Sequence, residues 1–318
     1  MRHFPTSTKE RSAMRTHRGK WLLLAAALTL APAIYAQPAP ARESAARQDR
    51  SYAQGLLWKI EGSSGQPSYV FGTMHVADLR VVALPPAVRA SFDDAKNFVS
   101  EVTLDTANLT QLAGRMVLSD GRDLAAVLGQ PLYEKVAAVA PSTGLPAEAL
   151  RHLKPWAIAV ILMMPQTNGE NVLDDRLYQM ALEQKKGIHQ LETIDEQVDL
   201  FDSMAETDQI AILSSALEDR ERLPKLIESM IVTYLKRDLA ALYRISEAQG
   251  EGDARLSHLR TAFMRRLLDE RNVRMAERAD ALLKTGRAFV AVGALHLYGE
   301  HGVLALLASR GYTVTRVY

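Results

Sequence analysis

From Leu56 onward, short apolar runs closed by glycine alternate with longer stretches that place apolar residues every three or four positions. The first pattern predicts strands and the second amphipathic helices. Leu56–Ile60 and Tyr69–Thr73 are strand-like and flank Gly62-Ser63-Ser64-Gly65-Gln66-Pro67, so they predict a hairpin. Pro85-Pro86 opens a helix running to Lys96, and Asn97–Val102 is the next strand. The middle reads as helical. Lys154-Pro155-Trp156 starts a helix over Ala157–Met164 that has no polar face and must be buried. Asp174–Lys186 is amphipathic, with Gly187 as its stop, and leads to a short strand at Ile188–Leu191. Several short helices follow from Asp195 to about Gln249, then a longer one from Ser257 to Lys284 closed by Thr285-Gly286. The chain ends as strand Arg287–Val292, a helix near Gly299–Ser309, a stop at Gly311 and a strand over Tyr312–Val317.

Two of the predicted strands end alike. Phe71-Gly72-Thr73-Met74-His75 and Val292-Gly293-Ala294-Leu295-His296 each deliver one imidazole through a Gly-x-x-His turn at a carboxyl end. Open α/β sheets bind ligands at that edge. The repetition predicts an α/β fold of two related halves, with small mixed β-sheets flanked by helices, a helical middle region and one shared central cleft. Glycine permits a tight turn or a close approach. Imidazole serves as metal ligand or general base. A single such histidine is usually structural, but a second copy among six histidines after residue 36 favours a shared polar or metal site.

Glu101 occupies a strand end as well. It is either a salt-bridged carboxylate or a ligand or base, since two histidines and a carboxylate leave a position open for water. Further candidates are Asp174 and Asp175, where a helix begins and N-capping is the plainer role; Glu192, ending its own short strand; Arg271, on a long helix where most arginines are solvated; and His301, placed by its context on a helix surface. No nucleophile elbow, P-loop, dinucleotide glycine fingerprint or His-Glu-x-x-His helix is present.

Composition narrows the setting. A basic stretch from Met14 to Lys20, the apolar run Trp21–Ile34 and a small residue near Ala36 predict an export signal over residues 1–36, with Met14 an alternative start. Residues 37–52 read as a disordered leader, residues 53–318 as the folded domain, and the location as periplasmic or secreted. The signal holds six basic residues and one acidic, so its removal leaves 32 bases against 36 acids and a charge of −4. That balance offers no nucleic-acid surface, and no membrane span is expected after signal removal. The chain has no cysteine, which excludes disulfides, thiolate metal sites and a cysteine nucleophile.

These motifs, with Leu57-Trp58-Lys59, Lys154-Pro155-Trp156, Leu191-Glu192-Thr193, Arg271-Asn272 and the closing Gly311-Tyr312-Thr313-Val314, resemble the TraB/GumN family. That family includes the TIKI-type metalloproteases and is distantly similar to erythromycin-esterase and ChaN folds. The resemblance implies a divalent metal (Mn²⁺, Co²⁺ or Zn²⁺) at His75, His296 and Glu101, and a hydrolase acting on a peptide or small molecule. Glu101 would serve as ligand or base, with Arg271 or His301 stabilising the tetrahedral intermediate. The alternative is an accessory protein that holds a metal, haem or polymer in the same cleft without turnover.

Overall fold

A computed structural model describes residues 52–63, 65–165, 167, 169–247 and 262–318. The export signal over 1–36 and the leader, save Tyr52, lie outside the described residues. Six strands form one mixed sheet: β1 (Leu57–Glu61), β2 (Ser68–Thr73), β3 (Asn97–Ser100), β4 (Gly187–Gln190), β5 (Ala288–Gly293) and β6 (Thr313–Arg316), in the order β4-β3-β5-β2-β1-β6. The mixed α/β class with flanking helices stands as expected, but the strands expected in two small sheets join in a single one. β5 pairs in parallel with both β2 and β3, and β3 with β4. The predicted β1–β2 hairpin is antiparallel, and β6 closes the edge against β1. β5 is buried along its whole length, which explains a continuous apolar run instead of an alternating one.

The sheet carries one large apolar cluster, in which Phe71, Phe92, Phe98 and Phe289 pack edge to face or tilted. A second cluster forms around the helix Pro155–Met163, every residue of which is buried, as its missing polar face required. Glu101 lies between Val99 of the first cluster and Val102 of the second, so the polar centre described below occupies the seam.

Several predicted ends shift, the strand from Asn97 stopping at Ser100 and the helix before it at Asp94; two further shifts stand out. The helix expected to reach Lys186 ends at Glu183, and Gly187 opens β4 instead of stopping the helix. Lys185 takes the left-handed turn at φ 55°, while a Cβ on Gly187 would collide with the Asn97 side chain. The long helix runs, among the described residues, from an α-helical stretch at 262–264 through one π-turn at Arg265–Asp269 into the regular span Glu270–Thr285; residues 257–261 of the expected element lie outside the description. No helix among the described residues is long and apolar enough to cross a membrane.

Asp202 ties the second cluster together. It accepts from Lys154 Nζ at 2.7 Å, Trp156 Nε1 at 2.9 Å and Arg115 at 3.1 Å, with its side chain 16% exposed. Asp202→Ala strands the buried indole N–H and the Lys154 ammonium, while Arg115 keeps Asp195 and Asp199, so a loss of about 2–3 kcal/mol is expected in urea unfolding. A loss below about 0.5 kcal/mol would mean that solvent replaces the carboxylate freely.

Candidate metal centre at the carboxyl edge of the sheet

The four adjacent parallel strands each deliver one chemical group at the same edge. β4 leads to Glu192, β3 to Glu101, β5 to His296 and β2 to His75. Thr73 sits opposite Gly293, so the two Gly-x-x-His turns lie side by side, staggered by one residue. Gly72 is what permits this. A Cβ there would stand 2.8 Å from Leu297 Cδ1 and 3.1 Å from Ala294 Cα, in the turn that carries His296. Its carbonyl is fixed by the buried Tyr234 hydroxyl at 2.8 Å. The close approach read from the sequence is therefore the approach of one cassette to the other.

Each imidazole is held through Nδ1. His296 Nδ1 lies 2.7 Å from Asn272 Oδ1, and Asn272 Nδ2 donates to the His301 carbonyl at 2.9 Å. Because the amide group spends its N–H on that carbonyl, its oxygen must accept from Nδ1–H. Nε2 of His296 is thus left as a lone pair, and it faces Glu101 Oε1 at 3.7 Å. Burial, reinforced by Arg271, holds the His296 pKa down to about 4, so the ring is neutral at physiological pH. His75 Nδ1 lies 2.6 Å from Asp174 Oδ2, an ion contact not aligned as a hydrogen bond, and both its ring nitrogens are buried without a hydrogen-bond partner. Burial would lower its pKa, but the adjacent Asp174 charge and then Glu101 raise it.

Glu101 is 7% exposed and ionised. Burial favours its neutral form, but the Arg271 guanidinium, the nearby histidines and the Gly293 N–H together hold its pKa at about 2. Glu101 Oε1 accepts from Gly293 N–H at 2.6 Å, and Oε2 from Arg271 at 2.7 Å. Arg271, a candidate for stabilising the intermediate whose plainer reading was a solvated helix arginine, is completely buried. Its Nε and its second terminal nitrogen donate to Glu192 Oε2 at 2.9 and 2.7 Å, and its remaining nitrogen reaches the Leu267 carbonyl at 3.3 Å. Arg274 adds a bond to Glu192 at 3.1 Å, and Arg278 pairs with Glu196. Arg271 belongs to the lining of neither of the two cavities at this edge.

Both cavities touch His75. One, with Met230, Tyr234, Leu242 and Leu268, also includes His296; the other includes Glu101, Asp174, Asp175 and Gln197. The second-tier residues separate here. Asp174 and Asp175 do not cap their helix, whose N-cap is Val172; Asp174 accepts from Thr73 Oγ1 at 2.6 Å and stands against His75. Glu192 is buried against Arg271. The His301 ring is exposed beside Glu300, and only its carbonyl reaches towards the centre, through Asn272. Residue-by-residue reading gave no role to Asn272, Arg274 or Gln197. The spacing of Arg271, Arg274 and Arg278 along one helix face, matched to Glu192 and Glu196, was the available signal.

Among the described residues no group of three or more histidine and carboxylate side chains stands arranged to hold an ion. The chemistry of the donors nonetheless fits one. A neutral imidazole lone pair and a carboxylate oxygen confront each other at 3.7 Å with no proton available to join them, and the His75 Nε2 is unpartnered. Carboxamide and carboxylate partners on the far ring nitrogens are the usual supports of metal-binding histidines.

Comparison with known proteins finds relatives named as metalloproteases. The chain is 26% identical over 344 residues to Metalloprotease TIKI1 of Danio rerio, covering 92% of this chain and 68% of that protein. It is 27% identical to Metalloprotease TIKI2 of Xenopus tropicalis (81% of this chain, 59% of that protein) and 26% identical to Metalloprotease TIKI1 of Homo sapiens (84% and 63%). The chain thus spans about three fifths to two thirds of the length of these relatives. No solved structure matches. A profile of the TraB/PrgY/gumN family matches residues 56–316, from the start of β1 to the end of β6, and the chain belongs to that family.

Proposed function

We propose that this protein is an exported, metal-dependent hydrolase of peptide-like substrates, with a divalent cation (Mn²⁺, Co²⁺ or Zn²⁺) held by His75, His296 and Glu101. The observation that carries this reading is the confrontation of His296 Nε2 with Glu101 Oε1, two electron-pair donors 3.7 Å apart in a buried site. The names of the relatives support the reaction class. Periplasmic or secreted location rests on the N-terminal sequence.

Bound there, such a cation would supply Lewis acidity and a nucleophilic water of lowered pKa. The protein's own groups prepare the site. Asn272 fixes the His296 tautomer, and Asp174 stands against the His75 ring. Arg271 acts through Glu101, keeping it ionised and aimed; it is a positioning residue, because its donors are spent on Glu101, Glu192 and a carbonyl. The Gly293 N–H holds the second Glu101 oxygen. Apolar residues Met230, Leu242 and Leu268 beside the histidines keep the cleft dry, which strengthens every charge interaction inside it.

The test uses protein stripped with chelator, then reloaded separately with Mn²⁺, Co²⁺ and Zn²⁺, against a peptide library. Turnover should require added metal and vanish in His75→Ala and His296→Ala while surviving His301→Ala. Asn272→Ala should weaken metal affinity by about 10- to 100-fold, as loss of an outer support does. Metal binding without turnover would favour the accessory-protein alternative. Turnover indifferent to chelator would end the metal reading.

A further inference from the structure

We propose that the recess between His75 and Gln197 binds a primary ammonium group of the substrate, through the unpartnered oxygens of Asp175 and Gln197. This inference rests on the reading of the neighbouring site as one for peptide-like substrates, and it adds which end or side chain such a substrate presents.

Two buried acceptor atoms on residues lining this recess have neither a hydrogen bond nor an ion contact. Asp175 is 2% exposed and Gln197 1% exposed, yet Asp175 Oδ1 and Gln197 Oε1 have no hydrogen-bond partner. The orientation of the Gln197 amide is fixed chemically. Its nitrogen donates to Glu192 Oε2 at 3.3 Å, and a carboxylate can only accept, so the oxygen is the end turned away. What meets these two atoms must therefore bring a hydrogen-bond donor, and beside a carboxylate a positively charged one is favoured.

Charge makes the same demand. Glu101 has Arg271, Glu192 has Arg271 and Arg274, and Asp174 has His75. Asp175 has no ion-pair partner among the described residues; its support is the amide of Gln179, one turn along its own helix. Buried carboxylates are normally paired, and this one lies beside the chemistry. The remaining wall includes Val102, Leu104 and Val172, apolar surface that suits the alkyl carbon next to an amine. Two single oxygens on separate side chains suit a compact ammonium with rotatable donors better than a planar guanidinium, whose fork matches both oxygens of one carboxylate.

A primary ammonium reaches such a site either as a peptide α-amine or as a lysine side chain. Equilibrium binding to the metal-loaded, full-length protein distinguishes them without depending on turnover. The probes are one pentapeptide with a free amino terminus, its Nα-acetylated form, and acetylated forms carrying one lysine or one arginine. The free-amine or the lysine peptide should bind at least about tenfold tighter than the plain acetylated peptide. Whichever of the two does so names the source. The preference should disappear in Asp175→Asn, which keeps shape and removes charge, and independently in Gln197→Met, with both variants checked for unchanged melting.

Equal binding of all four peptides, no measurable binding of any, or preference for the arginine peptide overturns the proposal. So does an Asp175→Asn variant that retains the preference, or one that instead lowers the number of metal ions bound per chain. An ammonium preference that persists in a protein without hydrolytic activity would leave this inference standing and remove the hydrolase reading alone.

Discussion

Arg271→Met is expected to destabilise the protein by about 3–5 kcal/mol, the cost of removing one partner from a buried ion network. Against a total stability of order 5–15 kcal/mol, that can leave a substantial unfolded fraction at 37 °C. The reason is what remains behind. Glu192 keeps Arg274 and Gln197, but Glu101 keeps only the Gly293 N–H and the nearby histidines. Burial, which pushes the Glu101 carboxyl up, would no longer be opposed by the guanidinium. The sign of the pH dependence follows. A carboxyl whose folded pKa is raised is protonated more readily in the folded than in the unfolded chain, so the variant's deficit is largest above that pKa and narrows as pH falls through it. Urea unfolding of variant and parent at pH 7.5 and pH 5 measures this. Arg271→Lys restores the charge but not the fork that reaches two carboxylates, and should recover only part of the loss. A methionine variant within about 1 kcal/mol of the parent at both pH values would mean that the network is dispensable to folding.

That network also marks where the sequence stopped being readable. The strands carrying Gly72 and Gly293 near their ends were visible because apolar runs punctuated by glycine are local signals, and the all-apolar helix after Pro155 was visible for the same reason. The side-by-side placement of β2 and β5 was not, since parallel neighbours here are some 220 positions apart and no local signal links them. The expectation of two small sheets came from that gap: nothing in the chain near residue 97 announces that β3 will pair with β5 on one side and β4 on the other. The burial of Arg271 was hidden for a related reason. An arginine on an amphipathic helix is solvated unless carboxylates arrive from elsewhere, and these come from 79 and 170 positions away. Asp174 and Asp175 looked like caps because the local pattern permits it, while the partners of Asp174, Thr73 and His75, come from a distant segment of the chain. Local chemistry identified the histidines and Glu101; long-range pairing decided what supports them.

Gly302→Ala should cost about 3 kcal/mol or slightly more, the upper end of overpacking penalties, although nothing about its backbone angles forbids alanine. Gly302 has φ −70° and ψ 152°, ordinary extended values. The obstacle is space: a Cβ there would lie 2.6 Å from the Leu297 carbonyl oxygen, 2.7 Å from that of Tyr298 and 2.8 Å from the Tyr298 carbonyl carbon. All three are backbone atoms, so no rotamer change relieves the clash and the loop from Leu297 to Gly302 must open. Opening it pulls on two things at once. Val303, Leu304 and Leu307 of the following helix are buried in the sheet-side core, and the His301 carbonyl anchors Asn272, which in turn fixes His296. Gly299 in the same loop provides the opposite case. Its φ of 93° is strained for any other residue, yet a Cβ there meets nothing within 4 Å. Gly299→Ala should therefore lose only about 1–2 kcal/mol of backbone strain and leave metal affinity intact. Denaturant unfolding of the two variants, paired with metal titration, separates steric from conformational need. Gly302→Ala should fall further in stability and also bind metal more weakly. Equal losses in the two variants, or a stable Gly302→Ala with full metal affinity, would show that this loop does not hold His296 in place.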